Sequence, residues 1–248
     1  MGAWREKRPP PFLLMKTLSV IMPTYNDSLY IEESIESVIS QSMPPKQFII
    51  IDDASNDETD SILQSYVEKI PYIIHIRLEK NTGNMCAVLY GIEKANCDYI
   101  YFLSSNDYIF QNFFCSAMKA ADEYSPGIIF GRKVNVTANG EYINANRASH
   151  INGNHYLNKE DFYYKYLIKE HAVHSLSSCS IYKRSAFDSV GGFDVSLKAY
   201  CDTFLMRLVA MKFGSYYLDT NCSASRFLDK SYSHDIIKRP LEMFSIIS

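Results

Sequence analysis

The chain has 248 residues, with 25 Lys and Arg against 28 Asp and Glu. The resulting formal charge of −3 gives no bulk attraction to nucleic acid or to an anionic membrane surface. At 47% hydrophobic and 21% charged residues the composition is globular, long enough for one large α/β domain or two small ones, and no segment reaches the ~20 uninterrupted apolar residues of a membrane span.

Residues 1–14 (MGAWREKRPPPFLL) hold basic residues and three prolines but no long apolar run, so they are expected to be a disordered leader or cloning remnant rather than a signal peptide. LSVIM (Leu18–Met22) then reads as a short buried strand stopped by Pro23. Asp27 or Ser28 is placed to cap a helix in which Ile31, Ile35, Val38 and Ile39 share one face. FIIID (Phe48–Asp52) is a second strand. A polar turn follows with Asn56 or Asp57 as N-cap, and Ile62, Tyr66, Val67 and Ile70 make the next apolar stripe. IIHIR (Ile73–Arg77) is a third strand, Ala87–Ala95 a helix after a loop with Gly83, and DYIYFL (Asp98–Leu103) a fourth strand.

Strands alternating with helices in this way require crossover connections. They predict an α/β fold with a Rossmann-like, mainly parallel sheet and helices on both faces. Ligands of such sheets bind at the carboxyl ends of the strands. Here those ends read Pro23-Thr24-Tyr25-Asn26, Asp52-Asp53-Ala54-Ser55, the loop 81–84, and Ser104-Ser105-Asn106-Asp107, all polar. The later chain is less regular. A helix is expected over 110–124, a strand over 127–131, a hairpin turning at Asn139-Gly140, a loop over 150–158, and helices over 161–170 and near 202–212. No linker or repeat divides it, so residues 15–248 are read as one domain, with a nucleotide-binding half to about residue 109 and an acceptor-side half beyond. Six cysteines without a C-x-x-C pair are read as free, mostly buried thiols of a reducing compartment. The 19 tyrosines suit sugar or base binding but also simple packing.

No G-x-G-x-x-G or G-x-x-x-x-G-K-S/T follows the first strand, and no G-x-S-x-G is present, which disfavours dinucleotide, P-loop and serine-hydrolase chemistry. Carboxylates and amides at the strand ends instead suit ribose hydroxyls, a base edge and a divalent ion between phosphates. LSVIMPTYN, then IIIDDASNDET, then EKNTGNMCAVLYGIEKANCDYIYFLSSNDYI, with KRSAFDSVGGFD and YCDTFLMRLVAMKFG further on, resemble in order and spacing the inverting family-2 glycosyltransferases of GT-A fold. The likeness runs from about Leu18 to Gly214.

That resemblance implies a nucleotide-diphosphate sugar donor, UDP- or another NDP-sugar. Pro23, Thr24 and Tyr25 would line the base and ribose, with Asp53 accepting the base's donor edge; Asn81 and Gly83 lie near the nucleotide, and Ser104 reaches the ribose. Each has a plainer alternative: Asp53 as a turn carboxylate, Tyr25 as a packed ring, Asn81 and Gly83 as an ordinary turn. Asp202 is implied as the base that deprotonates the acceptor, its alternative being a helix cap. Asp194 suits a turn. Relatives carry D-x-D where this chain has Ser104 and Asn106, so Mn²⁺ or Mg²⁺ would rest on Asp107 and the neutral Asn106, a weaker set; the alternative is a polar turn. Late candidates are Arg226 and His234, and His171 and His174 are read as packing or surface residues. The acceptor is expected to be a saccharide or lipid-linked saccharide, with no nucleic acid bound. The protein is expected to be cytoplasmic, with peripheral association at the inner membrane face and homo-oligomerisation left open. A different class of reading keeps the fold without the turnover: a nucleotide-sugar- or partner-binding module weakened by the lost carboxylates.

Overall fold

The computed structural model describes residues 15–146, 151–168 and 177–228. The first strand, β1 (Leu18–Thr24), is buried throughout and does not stop at Pro23. In a parallel ladder alternate residues address opposite neighbours. The Ile21 carbonyl accepts from Leu103 on one side and the Thr24 carbonyl from Asp53 on the other, which aims the nitrogen of Pro23 at the side where pairing has already ended. The missing N–H therefore costs no ladder bond, and the strand runs on to Thr24.

β2 (Gln47–Asp52), β3 (Ile73–Arg77) and β4 (Tyr99–Phe102) join β1 in parallel, in the order β3-β2-β1-β4. Between them run α1 (Ile31–Ile39), α2 (Thr59–Val67) and α3 (Asn84–Lys94). Helix α1 buries Ile31, Ile35 and Val38 as its spacing requires. In α2 the buried aliphatic is Leu63, while Ile62, Tyr66 and Val67 pack only partly against the core. Neither Asp27 nor Ser28 caps α1 with its side chain; the Asp27 carbonyl accepts from Tyr30 and Ile31 instead.

The second half is mixed rather than parallel. Strand β5 (Tyr108–Ile109) and α4 (Phe113–Tyr124) follow β4, then β6 (Ile128–Val136) and β7 (Tyr142–Asn146) form the expected hairpin around Gly140. The expected loop contains β8 (His155–Leu157); α5 (Lys159–Asp161) continues as a π-helical turn through Phe162–Ile168. After the turn Ser177–Cys179 come β9 (Ser180–Lys183), α6 (Arg184–Ser189), the 3₁₀ turn Val195–Tyr200, α7 (Cys201–Phe213) and β10 (Ser215–Arg226). Neither β9 nor β10 is evident from local patterning. β9 inserts antiparallel between β4 and β6, and β10 lies parallel to β6, so the main path is β3-β2-β1-β4-β9-β6-β10-β5, with β7 paired to β6 and β8 to β10.

Two reversals restore the original direction, so β6 and β10 point the same way as β1–β4. The carboxyl ends of all six strands consequently lie along one edge of the sheet. β6 and β10 approach so closely at Gly131 that an added Cβ would meet Cys222 Sγ at 2.3 Å and the Leu218 carbonyl oxygen at 2.9 Å. All six cysteines are free, and Cys97, Cys179, Cys201 and Cys222 are buried. No helix among the described residues is long and apolar enough to cross a membrane.

Candidate active site

The turns that follow β1 and β2 are stitched together. The Asp53 N–H donates to the Thr24 carbonyl (2.9 Å), the Asn26 N–H to Ser55 Oγ (2.9 Å), and the Asn56 N–H to Asn26 Oδ1 (2.8 Å). Asn26 and Ala54 both adopt left-handed backbone, at φ 54° and 63°. Asn tolerates that region; Ala pays a Cβ–carbonyl clash of about 1 kcal/mol. Asp57 bridges the same turns, accepting from the Thr59 and Ser28 N–H groups. Burial alone would raise its carboxyl, but these hydrogen bonds outweigh it and hold it down to about 2.

Asp53 is buried and reaches toward the third strand's loop. Its Oδ1 accepts from the Thr82 N–H (2.7 Å) and Thr82 Oγ1 (2.9 Å), and its Oδ2 from the Gly83 N–H (2.8 Å). Gly83, at φ 91°, turns that N–H inward, and Asn81 Oδ1 shares it at 3.1 Å. A carboxylate offers about four acceptor sites, and three are filled, leaving one on Oδ2. The Thr24 hydroxyl, at the end of β1, is buried with no hydrogen-bond partner. Pro23 is buried in β1, whereas Tyr25, Asn81 and Gly83, just beyond the strand ends, are exposed.

The loop after β4 is held from two sides. From α1, Ser34 Oγ lies 2.7 Å from the Ser105 carbonyl and 2.5 Å from the Asp107 carbonyl, and the Ser105 hydroxyl donates to Asp27. Burial raises the Asp27 carboxyl, with the Ser105 hydrogen bond opposing. From β10, the Arg226 N–H donates to Asp107 Oδ1 (2.9 Å) and Ser225 Oγ to Asp107 Oδ2 (3.0 Å). Ser225 Oγ in turn lies 2.9 Å from Ser178 Oγ, which accepts from Ser223 Oγ at 3.3 Å. The Arg226 guanidinium pairs with Glu33, donates to the Asn106 carbonyl (2.5 Å) and lies 5.1 and 5.2 Å from the ring centroids of Tyr30 and Tyr108. Ser104 alone of the tetrad is exposed.

This geometry bears on the expectation that Asp107 and Asn106 hold a metal. Hard divalent ions need free oxygen donors, preferably anionic. Asp107 is only 6% exposed with both oxygens engaged, Asn106 is neutral, and a guanidinium already sits against its main chain. Mn²⁺ or Mg²⁺ does not fit this donor set. One other group among the described residues, Asp52, Asp60 and His75, brings its ligand atoms within 4.8 Å of one another and has the chemistry to hold an ion. There Arg77 Nη1 lies 2.6 Å from Asp52 Oδ2 and 3.6 Å from Asp60 Oδ2, so an ion would have to displace a cation already in place.

Asp202 stands apart from these residues, in the first turn of α7, where its Oδ1 accepts from the Thr203 N–H at 2.6 Å. The far end of α7 is fixed: the Phe213 carbonyl accepts from Gly127, just before β6 begins. A helix of this length spans roughly 20 Å and packs on β6, β10 and the Ser177–Cys179 turn. Its first turn therefore lies toward the edge that carries the strand ends. Asp194 serves its turn, accepting from the Ser196 N–H and hydroxyl. Residues 1–14, His171, His174 and His234 lie outside the described residues. Sequence reasoning missed Ser34, Arg77 and Ser225 as partners of the strand-end turns and loops, because each is recruited by a strand or helix distant in the chain. Asp27 was read only as a helix cap.

A stitched pair of strand-end turns, a loop hung on Asp53 and a degenerate acidic motif on one sheet edge meet the expectation raised by the sequence. The family model described as Glycosyl transferase family 2 matches residues 19–191. The chain belongs to glycosyl transferase family 2. Within the family it is 46% identical over 91 residues to the putative teichuronic acid biosynthesis glycosyltransferase TuaG of Bacillus subtilis, covering 36% of each chain. It is 29% identical over 205 residues to the minor teichoic acid biosynthesis protein GgaB of the same organism, covering 81% of this chain and 22% of that one. The crystal structure of S. aureus TarS 1–349 in complex with UDP-GlcNAc superposes with a TM-score of 0.74 at 22% identity, covering 93% of this chain and 64% of that one. This last likeness shows the α/β fold of the family-2 chain. The chain thus spans well under two thirds of the two curated relatives.

Proposed function

We propose that this family-2 chain transfers a sugar from a nucleotide-diphosphate sugar to an acceptor hydroxyl with inversion, in the synthesis of a surface polysaccharide or glycoconjugate. The observation that carries the reading is the buried Asp53 at the end of β2, which holds the Thr82-Gly83 loop and keeps one acceptor site unfilled. That acceptor lies at the sheet edge that carries the strand ends and suits the donor edge of a base. Tyr25 supplies an exposed ring at the end of β1, Ser104 an exposed hydroxyl for the ribose, and Pro23, Asn81 and Gly83 the walls. Solved and curated relatives named for UDP, UDP-GlcNAc and teichoic or teichuronic acid synthesis favour a uridine nucleotide and a polyol-phosphate or acidic saccharide acceptor, free or lipid-linked. A cytoplasmic place, peripheral membrane contact and self-association belong to the same proposal.

In this reading Asp202 accepts the proton of the acceptor hydroxyl as its oxygen bonds to the anomeric carbon from the face opposite the diphosphate. The bond from that carbon to the diphosphate oxygen breaks, and the electron pair leaves with the diphosphate. A positioned base contributes roughly 10²–10⁴-fold. Replacing Asp202 with Asn should therefore lower transfer from UDP-GlcNAc and related donors by about that factor while leaving UDP affinity within about twofold. Nucleotide binding without turnover in the unaltered protein, across a panel of donors and acceptors, would instead support the binding-module reading. The neutral Ser104 and Asn106, where relatives carry acids, are the observation that favours it.

A further inference from the structure

The loop after β4 is the place where a family-2 diphosphate site is expected, yet its chemistry is that of a loop with its own internal cation. Three features coincide there. The two positions that would carry acids are Ser104 and Asn106, both neutral. The one acid, Asp107, has both carboxylate oxygens filled by β10, through the Arg226 N–H and the Ser225 hydroxyl. The Arg226 guanidinium, its side chain 3% exposed, is fixed against the loop by the Asn106 carbonyl at 2.5 Å, by Glu33, and by the rings of Tyr30 and Tyr108.

A divalent ion in such a site does two things: it balances phosphate charge, and it holds the loop's oxygens in a fixed arrangement. The second task is already performed here. Arg226 joins β10, α1 and the motif loop through its backbone and side chain at once, and a guanidinium's planar fork suits it to several partners in fixed geometry. A further dication placed at Asn106 would meet a cation and no free carboxylate.

We propose that this chain binds its nucleotide diphosphate without a divalent ion, with Arg226 as the positioning residue that holds the motif loop. The proposal rests on the donor-site reading above and narrows it. It also separates Arg226 from groups that touch the ligand: its role passes through Asn106 and Asp107.

The test is calorimetric titration of the full chain with UDP, in EDTA and again in Mn²⁺, using uridine as a phosphate-free control. The expected result is a UDP dissociation constant that changes by less than about threefold between the two conditions. A gain of about tenfold or more in Mn²⁺ would overturn metal independence and leave the donor-site reading standing. No UDP binding in either condition would overturn both. Arg226→Gln should weaken UDP by about tenfold in EDTA but uridine by less than about twofold, and Arg226→Lys, which keeps the charge and loses the fork, should fall between. Equal loss of UDP and uridine in both variants would remove Arg226 from the proposal. Because the EDTA and Mn²⁺ comparison uses the unaltered protein, a variant that fails to fold does not rescue the idea. Adding Ser104→Asp and Asn106→Asp to Arg226→Gln should then create Mn²⁺ dependence, and its failure to appear would count against the loop as the diphosphate site.

Discussion

Between β1 and β4, each strand lies beside one joined to it by a helical crossover or beside its parallel partner, and the buried side chains follow a local period. Between β9 and β5, neighbours in the sheet come from distant parts of the chain: β10 pairs with β6, β5 and β8, and β9 threads between β4 and β6. The first region displays chemistry on turns that its own sequence shapes, as at Asp53 and Thr82-Gly83. The second supplies ties, and the motif loop is where the two meet, Ser34 reaching it from α1 and Ser225 and Arg226 from β10. A site placed at such a seam depends on packing far from any group that would touch a ligand.

The sharpest way to break that comparison is at the β6–β10 contact. In Gly131→Ala the new Cβ meets Cys222 Sγ and two backbone oxygens, of Leu218 and Thr220, and backbone cannot swing aside. Overpacking of this kind costs about 3 kcal/mol, which for a domain of this size lowers the midpoint of thermal unfolding by roughly 6–12 °C. Because β10 carries Arg226 to the loop, UDP binding should weaken as well. A large loss of stability with untouched binding would show that the second region is merely a neighbour of the site.

Much of the first region was legible because its signals are local. A buried apolar run, a turn-forming cluster and a helical stripe recur in order, and in parallel strands this places the polar ends on one edge. Pro23 misled the strand boundary, since its effect depends on which neighbour the missing N–H faces, a property of the ladder rather than of the sequence. β10 was not legible. Its residues Ser215–Arg226 include charged and polar positions and are bulged against β6, so no clean alternation marks them. The ties of Asp107 were illegible for the same reason: an acid in a degenerate motif reads as a ligand, and only the fold shows a strand from more than a hundred residues away bonding both its oxygens.

A smaller effect separates a structural Asp107 from a ligand. Burial pushes its carboxyl up to about 6, against the opposing hydrogen bonds of Arg226 and Ser225 and the charges of Lys133 and Arg226. An acid raised on folding contributes stability that is full below its unfolded value, near 3.8, and is lost as pH climbs through about 6. Urea unfolding at several pH values should therefore show the protein losing about 1–1.5 kcal/mol between pH ~5 and ~7 relative to Asp107→Asn, which cannot titrate. Parallel curves for the two proteins would mean that Asp107 is more open to solvent than its place between the two regions implies.

The smallest effect tests whether the first region's turn is shaped locally. Ala54 holds a left-handed φ of 63° between Asp53 and Ser55, where its Cβ costs about 1 kcal/mol. Glycine removes that cost but loses about 0.5–1 kcal/mol to unfolded-state entropy, so Ala54→Gly should change stability by less than about 0.5 kcal/mol. Ala87→Gly, in the buried face of α3, has no strain to relieve and should lose about 1 kcal/mol or more. If the two substitutions cost the same, the turn's conformation is imposed by its cross-links to Asn26 and Thr24 and not by its own backbone preference. If Ala54→Gly is near neutral while UDP binding weakens, the strain at Ala54 contributes to the ordering of Asp53, and the first region, like the second, depends on ties for its chemistry.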